Sequence, residues 1–220
     1  MASSDDILVE RAVKDFEDGL AHTRANIKAK HGLIVGTTLD GLIMGAVTTL
    51  GMRSRMRQDA KDLVAIAHRV AKGEDARALA AQHLDHILRL KSKMHLIARE
   101  DDPDFQAIRT MALDLFARRL PDLAAMVSVK DPASYEDLVR KAFPDRGHVD
   151  AIVADNAQAV EAIITHLEKH PHVLRAPAAL APKIAANARD MIAWKLSEVR
   201  RGVDEIYSQP SPPAKAEGSG

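Results

Sequence analysis

The 220-residue chain balances 31 lysines and arginines against 31 aspartates and glutamates, with ten histidines besides. That neutrality argues against a general nucleic-acid binder, whose footprint is a basic excess. The absence of cysteine excludes disulfides, thiolate metal sites and cysteine nucleophiles. Aromatic residues are 3% of the chain against 46% apolar, so a core is affordable while base stacking and aromatic ligand cages are not.

Residues 1–6, MASSDD, lack the basic stretch and apolar run of a secretory leader, so a cytoplasmic protein is expected. Ser4 is placed to cap a first helix. Val9, Val13, Phe16, Leu20, Thr23 and Ile27 follow at alternating four- and three-residue steps. This is the seam of a helix packed on other helices, close to a short coiled coil. Gly36 suits the left-handed position after a helix end. Thr37 then offers the next N-cap, with Asp40 three residues on in capping-box position. The expected unit is an αα-hairpin of residues 4–35 and 38–72, broken off at Gly73.

Glu74 to Arg99 repeats the rhythm through Ala76, Ala80, His83, Ile87, Leu90, Met94 and Ile97. Asp102-Pro103 joins an N-cap to a first-turn proline. It opens a helix with Phe105, Ile108, Ala112 and Leu115 inward, which Pro121 is expected to end. Asp131-Pro132 repeats the cap before a short helix bearing Tyr135, Leu138 and Val139. A longer helix presents Val149, Ile152, Ile163, Ile164 and Leu167. The three prolines between 171 and 182 make a stiff crossing. The last helix, 182–207, turns Ile184, Ala188, Met191, Leu196, Val199, Val203 and Ile206 inward.

No segment alternates with period two between turn residues, so no sheet is expected. The expected fold is an all-α bundle of about six to eight helices, with long antiparallel helices. Residues 1–209 form one domain in this reading, and 210–220 (PSPPAKAEGSG) a disordered tail.

The segment GLIVGTTLDGLIMGAVTTLGM, residues 32–52, carries one charge, Asp40, and five glycines. Its length suits a membrane span, but Asp40 near the middle would cost about 2.5 to 3.5 kcal/mol there. A hairpin tip gives the same aspartate a capping role. The tip either packs inside the bundle or stands exposed to meet a partner or an anionic membrane. Its contact residues would then be Leu33, Ile34, Leu39, Leu42, Ile43, Val47 and Leu50. Arg53, Arg55 and Arg57 follow, and near lipid phosphates each is worth about 1 kcal/mol.

Histidines supply the other candidate site. His166 and His170 lie four apart, and His83 and His86 three apart, so each pair projects from one helix face. If the two helices are neighbours, four imidazoles converge on a zinc or iron ion. The acidic run Asp101-Asp102-Pro103-Asp104 invites a cation too, although helix capping alone explains it. Neither phosphate loop, nucleophile elbow nor His-Glu-x-x-His occurs, and no catalytic residue is assigned.

The leading expectation is a non-enzymatic, self-associating interaction protein that uses the apolar tip as its contact. The alternative is a metal- or cofactor-dependent helical enzyme built on His83, His86, His166 and His170. A nucleic-acid-binding regulator ranks behind both, on charge.

Overall fold

The computed structural model describes residues 3–49, 52–93, 100–174 and 181–208, with the side chains of 27, 28, 30–49, 52–54, 87–93, 174 and 181–185 outside the description. Among these residues seven α-helices run in order: α1 (Ser4–Thr49), α2 (Met52–Ala71), α3 (Ala76–Lys93), α4 (Pro103–Val127), α5 (Tyr135–Ala142), α6 (Arg146–Lys169) and α7 (Ala181–Ser208). A 3-10 turn, Pro171–Leu174, follows α6. Among the described residues there is no strand, so the chain is all-α as its periodicity requires.

The helix starts follow side-chain chemistry, with two departures from the sequence reading. The first cap is Ser3 rather than Ser4. The Ser3 hydroxyl accepts from the Asp6 amide at 3.1 Å, and the Asp6 carboxylate accepts from the Ser3 hydroxyl at 2.8 Å. Ser4 is thereby released into the core, where its hydroxyl donates to the Val129 carbonyl beyond the end of α4. Before α5 the cap is Ser134, not Asp131. Its hydroxyl accepts from the Asp137 amide, while the Asp137 carboxylate accepts from the Ala133 amide. Asp131 instead turns the chain with a φ of 47°, a left-handed conformation that aspartate tolerates better than most side chains.

Pro121 does not end α4. It lies inside the helix with its ring exposed. A proline there forfeits one hydrogen bond and costs up to about 3 kcal/mol. The residues around it offset that cost. Leu120 is buried against Leu79 and Ala80 of α3, and Val127 against Val9, Ala60 and Val64 of α1 and α2. Tertiary burial here outweighs local propensity.

Nor does α1 stop at Gly36. Helical bonding continues through Thr37 to Thr49, so Thr37 makes no cap and Asp40 lies inside the helix. No proline falls between residues 4 and 49 to force the break, and isolated glycines lower helix stability without ending it. Yet α1 is not straight. Arg57 grips Glu10 with both terminal guanidinium nitrogens, whereas a straight helix from Glu10 to Thr49 would be about 58 Å long. The eight residues from Thr49 to Arg57 span at most about 29 Å, so the axis of α1 is bent before Thr49. Asp5 pairs with His68, and Glu10 with Arg57, so the start of α1 lies along α2.

Helix α4 is the axis of the assembly, packing on α2, α3, α5 and α6, while α7 packs on α1, α5 and α6. At the far end of α7, Val203 and Ile206 bury against Val139, Phe143 and Val149. Nearer its start, Met191 departs from the expected inward seam and stands 40% exposed. With Phe16, Leu20, Met56, Ile192 and Trp194 it lines an apolar groove of about 500 Å³ between α1, α2 and α7. No helix among the described residues is long and apolar enough to cross a membrane.

Candidate metal centre

A small apolar cluster fixes the junction where α4 begins and α6 ends. Phe105 and Val173 are almost fully buried against each other, with Ile108 and Leu167 packed alongside. Burying a side chain the size of Phe105 is worth about 1.5 to 3 kcal/mol. This cluster ties the first turn of α4 to the last turn of α6 and to the 3-10 turn. The polar residues on the same three segments are thereby forced together.

Asp102 caps α4. One of its carboxylate oxygens accepts from the amides of Asp104 and Phe105, at 2.9 and 3.0 Å. The Phe105 amide in particular holds the Asp102 carboxyl below its ordinary range, leaving the second oxygen, Oδ2, turned outward to His172 at 3.1 Å. Asp104, two residues on, faces α6. Its Oδ1 lies 3.5 Å from His166 Nε2, and its Oδ2 lies 2.9 Å from His170 Nδ1 and 3.4 Å from His172 Nε2. The His166 and His170 rings stack at 4.5 Å, as spacing by one helical turn dictates.

Five residues thus form two overlapping groups, Asp104–His166–His170 and Asp102–Asp104–His172, with the ligating atoms of each group within 4.8 Å of one another. Two donors, each about 2.1 Å from one ion and 90–110° apart, stand about 3.0–3.4 Å from each other. The donor separations, 2.9–3.5 Å, bracket that spacing. His166 supplies a second sign of fit. Its Nε2 is buried and has no hydrogen-bond partner, with Asp104 Oδ1 lying 3.5 Å away. A buried imidazole nitrogen of this kind costs about 1 to 3 kcal/mol if nothing satisfies it.

The four-imidazole arrangement is not formed. His83 and His86 stand on α3, where His83, 6% exposed, stacks on Phe116 of α4. Phe116 is twelve residues from Asp104 on the same helix, which is about 18 Å along its axis. Burial pushes the His83 imidazole below its ordinary range, opposed by the charges of Asp59 and Asp62. His86 is exposed. Neither belongs to the cluster around Asp104.

Asp104 and His172 were the partners the sequence reading did not connect. Asp104 was visible within an acidic run that capping explains, and capping does account for Asp102 alone.

Of the apolar-tip residues, Leu33, Ile34, Leu39, Leu42, Ile43 and Val47 belong to α1 by backbone, and their side chains are outside the description. So is the side chain of Arg53 in α2, and Leu50 lies outside the described residues altogether. Arg55 is exposed, while Arg57 is engaged by Glu10. That carboxylate holds the Arg57 guanidinium above its ordinary range.

Compared with protein-family models, curated proteins and solved structures, the chain matches none.

Proposed function

We propose that this protein is a helical metal-binding protein that holds a divalent ion of the zinc or iron(II) type through Asp104, His166 and His170. The supporting observation is the convergence of an aspartate from α4 with two histidines from α6 at ligand spacing, one of them with a buried, unpartnered nitrogen. Two imidazoles and one carboxylate are a ligand set suited to zinc or to iron(II). Three protein ligands leave at least one coordination position for water or a substrate atom. The apolar-tip interaction reading depends on side chains outside the description and gains no such geometric support.

Titration calorimetry of the full, tag-free chain with zinc tests the reading. Binding at micromolar affinity or tighter is expected, and Asp104→Ala should abolish it. Absence of zinc binding, or binding that Asp104→Ala leaves intact, would overturn it.

A further inference from the structure

We infer that the cluster is a dinuclear site in which Asp104 bridges two divalent ions. This rests on the metal-binding reading above and goes beyond it in number and in ligands. Asp104 is common to both ligand groups, and its two oxygens face different imidazoles. Oδ1 is directed to His166, while Oδ2 approaches His170 and His172. Oδ2 thus approaches one imidazole of each group, and a carboxylate shared in this way can bridge two ions, which in two-metal sites sit about 3.5–4 Å apart.

The second ion has its own ligands. Asp102 spends Oδ1 on the α4 amides and keeps Oδ2 free of any backbone donor. That oxygen lies 3.1 Å from His172 Nε2, and the same nitrogen lies 3.4 Å from Asp104 Oδ2. Both separations match donors sharing one ion. His172 sits on the 3-10 turn, whose neighbour Val173 is locked beneath the site by Phe105.

Charge sets the order of filling. The Asp104–His166–His170 position contains the buried, unsatisfied nitrogen and fills first. The second ion then enters against the charge of the first, compensated by Asp102 and half of Asp104. Its affinity is accordingly lower. Two doubly charged ions on two carboxylates leave the centre net positive, so anionic ligands would be favoured on it.

The test is a zinc titration of the full chain with wild type, His172→Ala and Asp102→Asn. Asparagine retains the N-cap, so the last variant removes a metal ligand without removing the helix start. Wild type should take up two equivalents in distinguishable steps. Each variant should weaken the second step at least tenfold while leaving the first within about threefold. Electron paramagnetic resonance of the manganese-loaded protein should show spin coupling between the ions. One equivalent in wild type, or a second that survives both substitutions, would overturn the dinuclear site and leave the single-ion reading standing. No uptake at all would remove both.

Discussion

Two histidine pairs that look alike in the sequence end in opposite surroundings. His83 and His86 lie one turn apart on α3, as His166 and His170 do on α6. The α3 pair divides: His83 enters the core against Phe116, and His86 faces solvent. The α6 pair stays together at the point where its helix stops. Pro171 ends the helix at the point where the capped start of α4 arrives, so imidazoles from a C-terminus meet carboxylates from an N-terminus. Helical spacing brings two histidines to one face. Only the ends of neighbouring helices decide whether acids join them.

Substitutions should separate these environments by size of effect. Phe105→Ala removes the apolar support under the α6 pair and should cost about 3 to 5 kcal/mol of stability. Chemical denaturation would read that loss, and zinc affinity should fall with it. His166→Ala deletes a direct ligand. It should weaken zinc binding at least about 100-fold, beyond the 10–100-fold typical of groups that merely support a ligand, while thermal stability of the metal-free protein holds or rises.

His83→Leu should leave zinc affinity unchanged and raise stability by about 1 kcal/mol, because it removes a buried nitrogen with no partner. It should also alter the pH dependence. The folded-state pKa of His83 lies below the unfolded value of 6.5, so the unfolded chain takes up the proton more readily. The neutral form's contribution to stability is present above about pH 6.5 and is lost as the pH falls towards the lowered value. Melting temperatures at pH 7.5 and 5.5 should therefore differ less in His83→Leu than in wild type. His86→Ala, at an exposed position, should change stability by no more than about 0.5 kcal/mol and zinc affinity not at all.

Much of the architecture was legible from helical periodicity and capping chemistry. Gly73 ends α2 with a φ of 93°, Asp102 caps α4, and α7 begins one residue before the expected Pro182. Pro121 is a local break signal, and a local signal loses when burial on both sides favours continuity, as Leu120 and Val127 show. Half of the candidate site was also legible, since helical spacing alone pairs His166 with His170. Asp104 and His172 were not, because their proximity depends on how α4 and α6 cross. That crossing is set by Phe105 and Val173, 68 residues apart in the chain, and no periodic pattern records it.

The most direct measurement is a long-range proton–nitrogen correlation spectrum of the imidazoles, recorded while zinc is added to the full chain. The account predicts that the ligating nitrogens of His166 and His170 shift at the first equivalent, while His83 and His86 stay where they were. A shift of His83 or His86 together with the α6 pair, or no shift in any of the four, would contradict it.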